Sequence, residues 1–218
     1  MPSTSLQNFE KHLIKDVSRL INSHSYLNHK GGGRRSLGHI TRGGVVMLCA
    51  AWERYIEDVL LDSARYLSVN LDSPKTLPKD VQKTIAKEIK KDDHELRCLD
   101  LAGDGWKDFY LEKIEEETDR INTPKSSVVD DLFKRFVGLP DLSTNWTAGA
   151  NKIDDFVKAR GEIAHTGSEA TYIRIGNLTD YQDIVIQTVV ETDLYLANHL
   201  QPLSTNGKTP WRRRTRID

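Results

Sequence analysis

Apolar residues that recur at steps of three and four constrain the fold of this chain more than any other feature. Near the amino terminus the recurring residues are Leu6, Phe9, Leu13, Val17, Leu20 and Ile21. Such spacing places apolar side chains along one side of a helix, whereas the alternation typical of strands is almost absent from the sequence. The sequence therefore predicts an all-α fold, an irregular up-and-down bundle of about six to seven helices.

Segments rich in glycine and proline separate the predicted helices. "KGGGRRSLGH" interrupts the first helix, because consecutive glycines raise the entropy cost of helical backbone. A long helix then runs from about Leu37 to Leu71, and "DSPKTLP" ends it because proline removes a backbone donor.

Two helix starts further along the chain have capping-box spacing, in which two polar side chains three residues apart satisfy the first backbone donors. Ser127 and Asp130 predict the start of a short helix that continues through Phe136. Thr179 and Gln182 predict the start of the final helix.

The size and charge of the chain limit its class. With 218 residues it can bury one substantial core, so we expect a single helical domain over residues 1–203. A basic tail, residues 204–218, follows this domain and is of a kind that is often disordered. The net charge of −1 argues against a surface that binds nucleic acid everywhere, although it allows a local basic site. Two cysteines and no long apolar run predict a cytoplasmic protein without a membrane segment.

One predicted helix, residues 151–165, carries charged side chains whose positions need an explanation. Its apolar stripe consists of Ile153, Phe156, Val157, Ile163 and Ala164. Arg160 falls at the centre of that stripe, where a desolvated guanidinium needs a carboxylate or a phosphate beside it. His165 lies about 140° away on the same helical wheel. Arg160 therefore belongs either to an internal ion pair or to a site that an anionic ligand completes, and His165 either caps the helix or transfers protons.

The segment "RGEIAHTG" places an arginine and a histidine with four residues between them near the start of the last two predicted helices. It follows "AWERYIEDVL" and "NTPKSSVVDDLFKRFVGL" in that order. This combination resembles the HEPN superfamily (higher eukaryotes and prokaryotes nucleotide-binding), and in particular its prokaryotic stand-alone ribonuclease-like proteins with an Arg-x4-His motif. The resemblance extends from about Val45 to Leu203.

The resemblance implies a metal-independent endoribonuclease that works as a homodimer and needs no cofactor. It implies that Arg160 holds the scissile phosphate, and that His165 transfers a proton from the ribose 2′-hydroxyl or to the leaving oxygen. The implied products carry 2′,3′-cyclic phosphate and 5′-hydroxyl ends. The implied role is that of a toxin or an anti-phage defence effector, with RNA as substrate and an antitoxin or other regulatory protein as a further partner.

Two positions depart from the family pattern. Gly161 stands where many relatives have a polar residue, and Gly167 stands where some toxins have a tyrosine that an antitoxin modifies. These departures leave a second function open, that of a non-catalytic HEPN module that binds a nucleotide or a protein partner.

Other residues are candidates for supporting roles. Glu53 lies in the apolar arc of the long helix and is predicted either to orient Arg160 or to form a structural ion pair with it. Glu162 points outward and either assists at the cleft or is a solvated surface residue. The basic residues predicted to bind RNA are Arg34, Arg35, Arg212, Arg213 and Arg214. The plainer alternatives for these five are a helix connection and a disordered tail. No metal site is predicted.

Overall fold

Helices form nearly all of the regular structure in the computed structural model, which describes residues 1–29, 36–122, 124–167, 170 and 172–216. They are α1 (Thr4–Asn8), α2 (Ile14–His29), α3 (Gly38–Asn70), α4 (Lys79–Lys91), α5 (Gly105–Thr118), α6 (Ser126–Val137), α7 (Ala150–Thr166) and α8 (Ile175–Leu200). No strand occurs in the described ranges, and α2 to α8 are seven longer helices. The predicted all-α fold is therefore confirmed.

A π-helical turn, Phe9–Leu13, joins α1 to α2 without a break. Such a turn contains more residues than an α-helical one, so it shifts every later side chain around the axis. The buried residues of the amino-terminal helix are accordingly Leu6, Phe9, Ile14 and Val17. Of the predicted stripe, Leu13, Leu20 and Ile21 are only partly buried. At Leu13 the reason is the π turn, which brings Ile14 to the core instead.

The long helix α3 is the central element of the bundle, and its bounds agree with the predicted helix. It contacts α1, α2, α5, α6, α7 and α8. Trp52 and Tyr55 of α3 are fully buried. The indole Nε1 of Trp52 donates to the carbonyl of Pro124 at 2.9 Å, and the Tyr55 hydroxyl donates to the carbonyl of Val189 at 2.9 Å. These bonds satisfy the polar atoms of both rings inside the core.

Aspartates from neighbouring helices satisfy the first donors of three helical segments. Each carboxylate accepts hydrogen bonds from the backbone N–H and from the hydroxyl of one serine. The pairs are Asp62 with Ser5, Asp154 with Ser126 and Asp130 with Ser143. Because each aspartate is distant in sequence from its serine, these bonds connect helices as well as cap them.

Both predicted capping boxes are wrong. Asp130 turns away from Ser127 and binds Ser143, at 2.7 Å from its backbone nitrogen. The last helix begins at Ile175, so Thr179 lies inside α8 and donates its hydroxyl to the Ile175 carbonyl at 3.1 Å. A tertiary contact took precedence over the local pattern at Asp130, whereas α8 begins one turn earlier than predicted, with Asn177 accepting from the backbone of Arg174.

The basic tail packs beside the amino terminus of the chain and beside α8. The backbone nitrogen of Arg212 donates to the carbonyl of Met1 at 2.8 Å, and Trp211 Nε1 donates to the carbonyl of Asp193 at 3.1 Å. Residues 204–216 therefore have a defined place beside α1 and α8. Within the ranges that the structure describes, no helix is both long enough and apolar enough to cross a membrane.

A buried carboxylate connects α8 to the amino terminus. Asp193 is fully buried and accepts a hydrogen bond from the Ser3 hydroxyl. Its other carboxylate oxygen, Oδ2, has no hydrogen-bond partner among the described residues. Burial raises the pKa of Asp193 from 3.8 to about 7, and the bond from Ser3 opposes this effect.

We expect the free energy of unfolding to fall as the pH rises from about 4 to about 7, because the folded state retains a proton on Asp193 that the unfolded state releases earlier. At about 1.4 kcal/mol per pKa unit, this contribution is on the order of 4 kcal/mol at most. Asp193→Asn cannot ionise, so it should be more stable relative to the wild type at pH 8 than at pH 5. Urea denaturation of both proteins at the two pH values measures the difference, and an equal difference at both values would contradict the assignment.

Candidate active site

The motif helix α7 packs on the core through one side. Its buried residues are Ile153, Phe156, Val157, Ala159 and Ile163. Four of these belong to the predicted stripe, whereas the prediction is wrong for Ala164, which is exposed. The buried side therefore lies slightly away from the predicted centre, and Arg160 is at its margin.

Arg160 is partly exposed and makes no hydrogen bond or ion pair with any other residue in the described part of the chain. It nevertheless lies close enough to Cys49 of α3 for its charge to act on that thiol. A guanidinium has five donors in a fixed planar fork, and those of Arg160 are open to an anion. This arrangement differs from an internal ion pair, the plainer of the two sequence-based readings.

Cys49 of α3 lies close to Arg160 of α7, and Glu53 lies one turn further along α3. Burial raises the pKa of Cys49 to about 12, while the Arg160 charge lowers it and the Glu53 charge raises it. The thiol therefore stays protonated near neutral pH and behaves as a small apolar side chain. The charges of Glu53 and Arg160 both act on Cys49, so the two side chains lie on the same side of the α3–α7 contact. The supporting role of Glu53 stays a prediction.

His165 lies in the last turn of α7, and its side chain is exposed. The helix continues to Thr166 before Gly167, with a φ of 57°, ends it. Arg160 and His165 are thus on one unbroken helix, about 140° apart around the axis and about 7.5 Å apart along it. One copy of α7 does not direct both side chains at the same atom.

Glu162 lies on α7 between the two motif residues and is held by the segment that follows the helix. The Tyr172 hydroxyl donates to Glu162 Oε2, and Lys158 Nζ lies 3.9 Å from Glu162 Oε1. The hydrogen bond places Tyr172 close to the motif. The sequence does not reveal Tyr172, because only the fold brings its ring next to α7.

Tyr181 of α8 is a second aromatic residue that the sequence does not identify at the site. Its ring lies 5.4 Å from the ring of Phe156 on α7. Burial raises the pKa of Tyr181, and the charges of Asp155, Glu162 and Asp180 raise it further. The phenol therefore remains protonated at neutral pH and can act only as a hydrogen-bond donor or a neutral acceptor.

The remaining residues of the predicted RNA site are not beside the motif helix. Arg34 and Arg35 lie outside the described residues. Arg212, Arg213 and Arg214 line a surface with Met1 and Pro2, next to the amino-terminal helix. Among the described residues, no group of three or more histidine, cysteine, aspartate or glutamate side chains could hold a metal ion.

Comparison with known proteins gives one match, and it spans most of the chain. The RiboL-PSP-HEPN family model matches residues 10–198. No curated protein and no solved structure matches the chain. The matched range contains α2 to α7, most of α8, and the motif residues Arg160 and His165. With its all-α architecture, the chain therefore belongs to the RiboL-PSP-HEPN family, within the HEPN superfamily that the motif indicated.

Proposed function

We propose that this protein is a metal-independent endoribonuclease that acts as a homodimer. The observation that carries the proposal is the motif helix itself, on which Arg160 is partly exposed without an ionic partner in the described chain and His165 is exposed. A structural ion pair would occupy the guanidinium, and a core histidine would be buried. Membership of a HEPN family, which is associated with RNA-related and nuclease-like functions, supports the same reading.

The proposed reaction is an internal transfer at the scissile phosphate. The ribose 2′-oxygen attacks phosphorus and loses its proton to a base, while the bond to the 5′-oxygen breaks and that oxygen receives a proton from an acid. The products carry a 2′,3′-cyclic phosphate and a 5′-hydroxyl. Arg160 stabilises the charge on the phosphoryl oxygens, and the two copies of His165 in a dimer serve as base and acid.

A dimer also removes the geometric difficulty of a single helix, because Arg160 of one protomer can meet His165 of the other. An exposed apolar side chain lies on the side of α3 that carries Cys49 and Glu53. Val46 is 38% exposed and lies one turn before Cys49. Burial of Val46 between two copies would contribute apolar contact area and bring the two motif helices together.

Val46→Glu should convert the dimer into a monomer and strongly reduce RNA cleavage, because a charge in an apolar interface loses its hydration. Light scattering during gel filtration gives the mass, and a gel assay gives the cleavage rate. Val128→Glu, at a 44% exposed apolar position on α6, is the matched control and should change neither quantity. A Val46→Glu protein that stays dimeric and cuts RNA would place the interface elsewhere.

The proposed chemistry is tested with purified protein and total cellular RNA in the presence of a chelator. We expect fragments whose 3′ ends carry cyclic phosphate and whose 5′ ends accept phosphate from a kinase. The proposed role as a toxin or a defence effector adds that expression of the wild type slows growth whereas expression of His165→Ala does not. Equal growth would remove the toxin role but not the cleavage chemistry.

One observation favours a second function, a non-catalytic module that binds a nucleotide or a protein partner. Arg160 and His165 diverge on an unbroken helix, and Gly161 offers no polar side chain between them. A folded, dimeric wild type that leaves RNA intact under all conditions tested would support this alternative.

A further inference from the structure

An open groove lies between the amino-terminal helix and the basic tail, away from the motif. It has a volume of about 740 Å³. Six cationic side chains line it, against one carboxylate, that of Glu10; they are Lys11, Lys15, Arg212, Arg213, Arg214 and Arg216. The whole chain has a net charge of −1, so this concentration of positive charge is local. A groove of this kind attracts a polyanion.

Two of the six cations are held by the protein, and the other four are available. Arg214 donates to both carboxylate oxygens of Glu10, at 2.7 and 2.9 Å, and Arg213 donates to the side chain of Gln201 at 2.5 Å. These bonds fix the tail in place. The side chains of Lys11, Lys15, Arg212 and Arg216 are exposed and make no ion pair in the described part of the chain.

A second open cavity of about 940 Å³ continues the groove past Met1 and Pro2. Tyr66 and Trp211 line it, together with Arg65 and Arg212. Aromatic faces next to a basic track are typical of surfaces that bind single-stranded nucleic acid, because unpaired bases stack on rings while cations contact the phosphates. A paired duplex has no free base faces to offer, so the pattern favours a single strand.

The tail runs along α8 in the direction of the motif but remains on the opposite side of that helix. Trp211 contacts Asp193, whereas Thr215 and Arg216 lie beside Asp183, about 15 Å nearer to the start of α8. Tyr181 is about 200° around the helix from Asp183, and it packs on the motif helix. The groove is therefore separated from Arg160 by the thickness of α8.

We propose that the groove between the amino-terminal helix and the tail holds single-stranded RNA through its phosphates, as a surface distinct from the motif. Lys11, Lys15, Arg212 and Arg216 supply the contacts, with Tyr66 and Trp211 beside them. The proposal rests on the proposed function in that it concerns the same substrate class. It differs in predicting that the groove affects how tightly RNA is held and not how fast the held RNA is cut.

The test uses the full-length His165→Ala protein as host, so that bound RNA stays intact, and a short fluorescent oligouridylate as probe. The groove variant adds Lys11→Gln, Lys15→Gln, Arg212→Gln and Arg216→Gln. Fluorescence anisotropy at several salt concentrations should give a Kd raised at least about tenfold, and a salt slope reduced by about 0.7 for each phosphate contact removed. Circular dichroism verifies that each protein is folded.

The matched control removes four exposed lysines from α4 and the turn before it, none of which lines the groove; they are Lys75, Lys79, Lys87 and Lys90. Its Kd and salt slope should equal those of the host. The inference is overturned if the host does not bind the probe, if the groove variant binds like the host, or if the control loses as much affinity as the groove variant. Equal affinity for a blunt RNA duplex would overturn the preference for a single strand.

Cleavage kinetics separate this inference from the proposed function. In a protein that keeps His165, the four groove substitutions should raise KM and leave kcat within about twofold. If the wild type cuts no RNA but the host binds it through the groove, the proposed function fails and the inference stands. If the wild type cuts RNA and the groove variant binds and cuts as its parent does, the inference alone fails.

Discussion

His165→Ala should slow RNA cleavage by at least about a hundredfold, because general acid or base catalysis by a positioned side chain typically contributes 10² to 10⁴ in rate. His165 is exposed in the last turn of α7 and packs on no core residue, so the substitution should leave folding intact. The initial rate of fragment formation, measured at saturating RNA, is the relevant quantity. Thermal unfolding of the same sample shows that the loss is chemical.

Arg160→Ala should reduce the rate by a comparable factor, since the developing charge on the phosphate loses its cation. Arg160→Lys should recover only part of the activity, because an ammonium keeps the charge but lacks the planar fork. Lys158→Ala is the matched control, as Lys158 is a cation on the same helix with a side chain that is 70% exposed. If His165→Ala and Arg160→Ala cut RNA as fast as Lys158→Ala, the motif has no part in the chemistry.

Trp52→Ala should lower the free energy of unfolding by about 3–5 kcal/mol, the range found when a buried aromatic side chain is truncated. Trp52 is fully buried at the centre of α3, with the Trp146 ring at 5.7 Å and the Tyr55 ring at 6.4 Å. Its indole also satisfies the Pro124 carbonyl. For a chain of this size the loss corresponds to a fall in Tm of about 10 °C.

Trp52→Phe separates the two contributions of the indole ring. It retains most of the packing but leaves the Pro124 carbonyl without its donor, which should cost about 1–3 kcal/mol. Denaturant midpoints and slopes for the two variants and the wild type give the comparison. A loss below about 1 kcal/mol for Trp52→Ala would mean that the core around α3 can collapse around the missing ring.

Helical periodicity predicted the fold class because core burial dominates helix stability and leaves its period in the sequence. Periodicity and the flanking breaks also predicted both ends of the long helix α3 to within one residue. It failed at Leu13, where a π-helical turn changes the period, a change that single-sequence spacing does not signal. The capping predictions also failed. At α6 the first donor is satisfied by Asp154 of α7, and α8 begins four residues before Thr179, where Asn177 accepts from the backbone of Arg174.

The candidate site was predictable only as far as it lies on one helix. Arg160 and His165 share α7, so their spacing carries information about the site. Cys49 and Tyr181 join the site through packing of α3 and α8 on α7, and Tyr172 joins it through its hydrogen bond to Glu162. Nothing in the local sequence of these three residues indicates it. Whether Glu53 acts on Arg160 depends on a distance between two helices, which a helical wheel, describing one helix at a time, does not contain.

The hydrogen bond from the backbone of Arg212 to the carbonyl of Met1 joins two segments that are synthesised far apart in time, so it bears on the order in which the groove assembles. A ribosome releases the amino-terminal helix of the groove before the motif helix, and the motif helix before the basic tail. The bundle can therefore assemble around α7 before the tail has emerged. On this order of events the groove forms only after the tail has been synthesised, so a chain interrupted between α7 and the tail would carry the motif without the surface that we propose holds RNA.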